Sequence, residues 1–146
     1  MRTFNYYHTV GFEETNVVGN VYYVNHLRWQ GRCREMFLRE NAPDILRQIT
    51  DEALVLATVR VSCEYFSELM AFDELTIRMS LKTMLQNRVA FEFEYIRTNY
   101  GNNELIARGD QEIACMARNG TTTDPILIPE TLKQALAPYA NHGQLG

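Results

Sequence analysis

The chain has 146 residues, 46% of them apolar and 22% charged, with a formal net charge of −4. This size and balance are typical of one soluble domain with a buried core, and the acidic balance disfavours nucleic-acid binding. No apolar segment approaches the ~20 residues that span a bilayer, and the N-terminus lacks the apolar stretch of a signal peptide, so we expect a cytoplasmic protein. The three cysteines include no CxxC pair, which argues against a zinc site and a disulfide framework.

The first third of the chain predicts one strand, one loop and one long helix. Residues 3–11 alternate weakly between apolar and polar and predict the strand. Residues 12–21 predict the loop, in which Gly19 acts as a breaker. Residues 22–40 have helical periodicity, and residues 43–50 predict a short helical turn after it.

Four later segments alternate apolar and polar residues with a period of two. They are residues 55–65, 74–82, 88–95 and 105–117. This alternation predicts antiparallel strands with one covered face. Residues 85–88 and 99–103 supply hairpin turns. Pro129 favours the start of a short helix that ends near Ala137.

These elements predict a single α+β domain over residues 1–140. A five-stranded antiparallel sheet wrapped around the long helix buries the apolar face of every strand and the apolar stripe of the helix together. Residues 141–146 are expected to form a frayed C-terminal tail.

One of the four arginines on the long helix falls on the face predicted to point inward. A helical wheel places the other three on a solvated face, which comprises Asn25, Arg28, Arg32, Glu35 and Arg39. Arg34 falls on the opposite face, which also holds Tyr23, Leu27, Gly31, Phe37 and Leu38. Because an unpaired buried guanidinium is prohibitively costly, two roles stay open. Arg34 either pairs with a carboxylate such as Glu64 or Glu13, or directs its charge at a substrate oxygen.

The loop before the helix and the middle of the helix also have features that suit a ligand. Gly19 suits a turn with positive φ, and the helix start near Tyr23 presents free N–H groups where an oxyanion could be stabilised. Every helix has such an end, so this signal alone is weak. Gly31 in mid-helix costs about 1 kcal/mol relative to alanine and permits another backbone or a ligand chain to approach closely.

The segment ETNVVGNVYYVNHLRW, residues 14–29, resembles the hot-dog-fold acyl thioesterases of the 4-hydroxybenzoyl-CoA type. Their signature, T-D-x-x-G-x-V-Y-x-x-N-Y, precedes the central helix of that fold. The residues in register with it are Thr15, Gly19, Val21, Tyr22 and Asn25. The segment VSCEYFSELMAFDEL, residues 61–75, is similar to the family's second-strand exit and turn. The resemblance covers about residues 3–120 and implies a hot-dog fold.

The departure from this signature is informative. Asn16 stands where the family has its catalytic acid, and an amide cannot act as a general base or a carboxylate nucleophile. The thioesterases paired with iterative polyketide synthases of enediyne biosynthesis are similar in this respect. They have an asparagine at that place and an arginine on the central helix, which match Asn16 and Arg34.

This resemblance implies a function. The substrate would be a polyene β-keto or β-hydroxy acyl thioester on an acyl carrier protein, hydrolysed with decarboxylation of a β-keto acid as an open second step. It further implies a homotetramer built as a dimer of dimers, and neither a metal nor another cofactor.

We hypothesise a mechanism in which the Tyr23 N–H donates to the thioester oxygen. Asn16 orients the water or shares the oxyanion charge, and Arg34 holds the β-oxygen or stabilises the reacting thioester. The base is open: solvent hydroxide and Glu64 are candidates, although a salt bridge at the sheet edge is the simpler role for Glu64.

Six further residues are expected to bind substrate. They are Gly19, His26, Leu27, Gly31, Met70 and Phe72. Methionine adapts to irregular apolar ligands, so Met70 and Phe72 would line an acyl tunnel, with plain core packing as the alternative. His26 either hydrogen-bonds to Asn16 or is a packed imidazole.

Two other functions remain open from the sequence. One is an acyl-CoA thioesterase of primary metabolism, although that class normally keeps the acid that Asn16 replaces. The other is a hot-dog protein that binds acyl chains without cleaving them.

Overall fold

A computed structural model describes residues 2–141 of the chain. Its strands and helices are β1 Phe4–Thr9, α1 Val24–Asn41, α2 Pro43–Thr50, β2 Leu54–Tyr65, β3 Glu74–Leu85, β4 Arg88–Arg97, β5 Glu104–Asn119, β6 Thr122–Pro125 and α3 Glu130–Leu136. Single 3-10 turns span Phe12–Glu14 and Ala137–Tyr139. Of the tail predicted to fray, only Asn141 falls within the described range.

The strands form one antiparallel sheet in the order β1-β3-β4-β5-β2, and β6 pairs with β5. The five long strands and the helix inside their curl confirm the predicted hot-dog architecture. The sequence did not predict β6, because all four of its residues are exposed and give no alternation. No helix within residues 2–141 has the length and hydropathy that a membrane crossing requires.

The face of α1 that packs on the sheet agrees only in part with the one that the helical wheel selected, since Phe37 and Leu38 are buried as predicted. Trp29, Cys33 and Phe37, spaced four residues apart, are buried in the core. Asn25, predicted to be solvated, is buried as well, because its Nδ2 donates to the Glu14 carbonyl at 2.8 Å. The residues predicted to lie inward at positions 27 and 31 are only half-buried.

At Gly109 on β5 a side chain of α1 lies close against the sheet. Gln30 Nε2 donates to the Ser62 carbonyl on β2 at 3.0 Å, directly above this glycine. A Cβ atom at Gly109 would overlap Gln30 Nε2 and lie 2.8 Å from Ser62 O. The close approach that the sequence suggested at Gly31 is not made within the described chain, since a Cβ there would meet no atom within 4 Å.

Strand β2 forms one edge of the sheet. Within residues 2–141 it pairs only with β5, so its outer edge has no partner. Val59, Val61 and Tyr65 are exposed along it. An unpaired edge with exposed apolar side chains is a ready surface for strand pairing with another chain.

Candidate active site

The loop between β1 and α1 is anchored by Glu14. Its carboxylate accepts hydrogen bonds of 2.8 Å from the Gly11 N–H, the His8 ring Nε2 and the Trp29 indole Nε1. Burial opposes the negative charge, but the hydrogen bonds from Gly11, His8 and Trp29 outweigh it and hold the pKa of Glu14 below its ordinary value. The carboxylate therefore ties β1 and α1 to the loop between them.

The backbone of Glu14 ties the same loop to the first turn of α1. Its carbonyl accepts hydrogen bonds from the Tyr22 N–H at 2.9 Å and from Asn25 Nδ2 at 2.8 Å. Two residues of the quoted signature thus hold the loop against the helix start. A buried side-chain donor of this kind needs a partner, which explains why an asparagine occupies an inward position.

Asn16 lies in a tight turn and is half-buried. Its Oδ1 accepts a 3.0 Å hydrogen bond from the Val18 N–H, and its carbonyl accepts one of 2.9 Å from Gly19. Gly19 has φ +95°, a conformation that favours glycine. Within residues 2–141 the Asn16 Nδ2 has no hydrogen-bond acceptor, so Asn16 offers donors, not a base, to a ligand.

The start of α1 offers a second donor. The Tyr23 N–H has no acceptor among the described residues, although the Tyr23 carbonyl accepts a 2.8 Å hydrogen bond from Tyr65 Oη. A free N–H at a helix start is the group that the hypothesised oxyanion site requires.

Beside this helix start lies a cavity of about 170 Å³. Its lining comprises Asn20, Val21, Tyr23, His26, Tyr65, Ser67, Glu68 and Leu69. His26 is only 4% exposed, and neither of its ring nitrogens has a hydrogen-bond partner among the described residues. Burial lowers the pKa of His26 to about 4, so its imidazole is neutral at physiological pH.

Arg34 does not form the ion pair that the sequence left open. Its Nη1 donates a 2.8 Å hydrogen bond to Oε1 of the buried Gln111, and it forms no ion pair with Glu64, Glu13 or any other carboxylate of residues 2–141. Burial lowers the pKa of Arg34, against the opposing charge of Glu35. An amide partner satisfies one donor and leaves the guanidinium without an ion pair among the described residues.

Arg34 lines a second cavity, of about 230 Å³, with Glu35, Leu38, Leu46, Ile49 and Leu56. Tyr23 does not line this cavity. The two residues are eleven positions apart on one helical path, which corresponds to about 16 Å at 1.5 Å per residue. Within one chain, therefore, Arg34 and Tyr23 face different cavities.

Glu64 is exposed on β2 and lines neither cavity. The predicted edge salt bridge is not formed among residues 2–141. Glu64 lies opposite Arg108 in the register of β2 and β5, but Arg108 pairs with Glu94 at 3.2 Å.

The remaining predicted substrate-binding residues lie on open surfaces. Leu27 and Gly31 on α1 are half-exposed, and a Cβ at Gly31 would meet no atom within 4 Å. Met70 and Phe72 are 44% and 70% exposed, so core packing does not account for either of them. Met70 lies beside the turn at Gly19, and Phe72 has φ +70°, which is unusual for a bulky residue.

Asp73, which the sequence reasoning missed, fixes the segment that walls the first cavity. It is 2% exposed and accepts hydrogen bonds from the Met70 N–H at 2.9 Å, Arg97 Nη1 at 3.2 Å and Asn99 Nδ2 at 3.2 Å. Burial acts against its charge, but these hydrogen bonds hold the pKa of Asp73 below its ordinary value. Its position immediately before β3 gave no sequence signal, since its partners Arg97 and Asn99 are distant in the chain.

Comparison with known proteins places this geometry in context. A family model described as "Thioesterase-like superfamily" matches residues 10–136. A crystal structure of the dynemicin thioesterase, in which polyene binding has induced-fit and allosteric effects, is 41% identical over 96% of this chain and 99% of that chain, with a TM-score of 0.92.

Two solved structures at 20% identity share the fold. A 1,4-dihydroxy-2-naphthoyl-CoA thioesterase from Synechocystis covers 93% of this chain and 96% of its own, with a TM-score of 0.81. An Asp-to-Asn mutant of 4-hydroxybenzoyl-CoA thioesterase, in complex with 4-hydroxybenzoyl-CoA, covers 93% of this chain and 99% of its own, with a TM-score of 0.82.

Proposed function

We propose, from the premise that this chain belongs to the thioesterase-like superfamily and is a thioester hydrolase, that its substrate is a polyene acyl thioester. The thioester would be β-keto or β-hydroxy, carried on the acyl carrier protein of an iterative enediyne polyketide synthase. The likeness to the dynemicin thioesterase, which binds polyenes, is the observation that carries this proposal. The pair of Asn16 and Arg34 supports it.

The donors around the helix start support hydrolysis by polarisation of the carbonyl. The thioester oxygen would accept from the Tyr23 N–H and from Asn16 Nδ2, which both lack an acceptor within the described chain. Water adds its oxygen to the carbonyl carbon, the carbon–sulfur bond breaks, and the carrier leaves as a thiol. Removing one such donor typically costs ~100- to 1,000-fold in rate.

The role of Arg34 at the β-oxygen requires a second copy of the chain. The β-oxygen is two carbons from the thioester carbonyl, whereas Arg34 is held at Gln111 and lines a different cavity from Tyr23. We therefore propose that Arg34 of one protomer completes the site that begins at Tyr23 of another. The unpaired edge of β2 and the uncovered side of α1 at Gly31 are surfaces on which such a partner could pack.

The assembly is proposed to be a homotetramer, a dimer of dimers. An acidic carrier protein would dock on the solvated arginines of α1, since Arg28 and Arg39 are exposed and Arg32 is paired with Glu35 at 2.7 Å.

The experiment that tests the substrate is mass spectrometry of products released from the cognate synthase with and without this protein. We expect Arg34→Ala and Asn16→Ala each to reduce release from the carrier by at least about 100-fold while the protein stays folded. Equal turnover of acyl-CoA and acyl carrier protein would favour the primary-metabolism alternative. Copurification of an intact thioester, stable for hours, would favour acyl binding without cleavage.

Mixed oligomers test the shared site. Neither variant alone would be active, but a protomer with Arg34→Ala still provides Asn16 and Tyr23, and a protomer with Asn16→Ala still provides Arg34. Subunit exchange between the two should restore a fraction of the wild-type rate. Absence of restored activity in verified mixed oligomers would place both residues in one protomer's site.

A further inference from the structure

His26 is a buried histidine whose hydrogen-bonding groups are unused within residues 2–141. It lies one turn into α1 and is 4% exposed, with no partner at Nδ1 or Nε2. Buried polar atoms are nearly always satisfied by protein or ordered water, so an unpartnered imidazole calls for a ligand or a water molecule.

Three aromatic rings surround the imidazole, and His26 is among the residues that line the cavity beside the helix start. Its centroid lies 5.1 Å from that of Trp29, 4.7 Å from that of Tyr65 and 5.5 Å from that of Tyr95. Tyr95 Oη also donates a 2.7 Å hydrogen bond to the His26 carbonyl. His26 and Tyr23 both line the cavity of about 170 Å³, which has room for water. Both ring nitrogens are buried in this structure, so the ring must turn toward the cavity to reach that water.

The imidazole is neutral in this environment. Burial lowers its pKa to about 4. The other titratable groups around it are Tyr23 at the helix start, Tyr65 on β2, Tyr95 on β4 and Glu68 on the cavity wall. Cys63 on β2 interacts with Tyr65 and Tyr95. Burial raises the pKa values of Tyr65, Cys63 and Tyr95, so these three groups are uncharged at neutral pH. A neutral imidazole has one N–H donor and one acceptor nitrogen.

We propose that His26 is the catalytic base of this thioesterase: it holds the attacking water in the cavity and accepts its proton. As the water oxygen bonds to the carbonyl carbon, one water proton moves to the free ring nitrogen, and the oxyanion forms at the Tyr23 N–H. The carbon–sulfur bond then breaks, and the imidazolium returns that proton to the departing thiolate. The low pKa of His26 makes this imidazolium a strong acid toward the thiolate.

With this assignment, His26 is the general base, a role that the amide of Asn16 cannot fill. The Asn16 Oδ1 already accepts from the Val18 N–H, and Glu64 lines neither cavity. Glu68 is the other base on the same cavity wall, but its Oε1 accepts from Asn20 Nδ2 at 3.1 Å. Neither nitrogen of His26 has a partner among the described residues, and His26 is the base that we assign. One engaged oxygen does not disable a carboxylate, so Glu68 is the alternative base that the Glu68→Gln variant tests.

The inference rests on the proposed function for the place of reaction, at the start of α1. Its test uses an octanoyl thioester of N-acetylcysteamine, which requires neither a carrier protein nor a polyene. An error in the proposed substrate would therefore leave this test intact. If the wild-type protein hydrolyses no thioester, both the function and this inference fail.

The measurement is kcat/KM of folded protein from pH 5 to 9. The wild type should vary little with pH over this range, because a base with a pKa of about 4 is already unprotonated. His26→Gln retains a group that can hold water but cannot take its proton. We expect a loss of about 100-fold or more at pH 7, and a rate that rises about tenfold per pH unit as hydroxide becomes the nucleophile.

Two variants serve as controls. Tyr95→Phe removes the hydrogen bond to the His26 carbonyl but keeps the imidazole, so the pH profile should keep its wild-type shape. Glu68→Gln should also keep the wild-type shape of the pH profile. A wild-type rate and pH profile in His26→Gln would overturn the proposal. A loss of activity in Glu68→Gln, with none in His26→Gln, would also overturn it.

Two further measurements test the proposal if His26→Gln does not fold. The smaller His26→Ala, assayed with added imidazole, should regain activity as imidazole enters the vacated space. In the wild-type protein, ¹⁵N NMR at pH 7 should find one protonated and one unprotonated ring nitrogen on His26. Two protonated nitrogens would contradict the base assignment without any substitution.

Discussion

Arg34 and Gln111 are joined by a 2.8 Å hydrogen bond from Nη1 to Oε1. A neutral amide thus holds a half-buried guanidinium where a carboxylate would have been the commoner partner. The amide orients the cation without cancelling its charge. Replacing the side-chain amide of Gln111 with a carboxylate tests whether the charge of Arg34 has to stay without an ion pair.

Gln111→Glu replaces the amide with a carboxylate of the same shape. An ion pair would then hold Arg34 and neutralise its charge, so we expect kcat to fall by about 10- to 100-fold with little loss of stability. Steady-state kinetics and thermal unfolding measure the two effects. Gln111→Met, which keeps the volume but not the hydrogen bond, should retain more activity than Gln111→Glu. The reverse order would mean that the charge of Arg34 is not used.

Glu14→Gln should destabilise the protein by about 1.5–3 kcal/mol, since it weakens hydrogen bonds to a charged group. Urea unfolding at pH 7 measures this loss. The matched control is Glu13→Gln at the exposed neighbouring position, expected to change the free energy of unfolding by less than about 0.5 kcal/mol. Equal effects of the two substitutions would show that Glu14 does not anchor the loop.

The same carboxylate gives a pH dependence with a defined sign. The pKa of Glu14 is lowered in the folded protein, so its contribution is present above the unfolded value of about 4.5 and is lost as the pH falls through the folded pKa. Unfolding free energies measured between pH 6 and 3 should therefore fall less steeply in Glu14→Gln than in the wild type. Parallel curves would contradict the lowered pKa.

Gly31→Ala and Gly109→Ala should have opposite effects on stability. An added Cβ at Gly31 meets nothing within 4 Å, so alanine should stabilise the helix by about 1 kcal/mol. At Gly109 the Cβ would overlap Gln30, and we expect a loss of about 1–3 kcal/mol. If Gly31 faces an acyl chain or a partner protomer, Gly31→Ala will lower activity or alter the oligomer mass despite its greater stability. Sedimentation and kinetics on the same sample decide this.

Phe72→Gly should raise stability by about 1 kcal/mol. Phe72 has φ +70°, where a side chain is strained and glycine is not, and its ring is 70% exposed, so little burial is lost. Thermal unfolding measures the gain. Leu85→Gly is the control, an exposed residue without a positive φ, for which the same change should destabilise. A loss of stability in Phe72→Gly would mean that the ring makes contacts in the assembled protein.

The architecture could be predicted because its signals are local. Alternation over the long strands and the periodicity of α1 each arise from one sequence segment with one buried face. The sequence did not predict β6, because an exposed strand of four residues has no buried face to produce an alternating pattern. The inward side of α1 was assigned only in part, because Asn25 is buried through a hydrogen bond to the Glu14 carbonyl, which no helical periodicity encodes.

The candidate site was harder to predict for the same reason. Asn16, Tyr23 and His26 follow one another closely in the chain, and the sequence proposed all three. Tyr23 and His26 line one cavity, and Asn16 is not among its lining residues. Asp73 and Gln111 act through partners 24 to 77 residues away, so their roles become visible only in three dimensions. Sequence reasoning also treated Arg34 and Tyr23 as one site, but within one chain the rise of the helix places them at different cavities.

The charge of Arg34 has a consequence for turnover. Hydrolysis converts a neutral thioester into a carboxylate, because carboxylic acids ionise well below neutral pH. If Arg34 lies at the reacting end of the substrate, as proposed, a cation held by Gln111 would attract that product more strongly than the substrate, and slow product departure and product inhibition would follow. For a β-keto acid, loss of carbon dioxide would remove the very charge that detains it, and decarboxylation would then serve to empty the site.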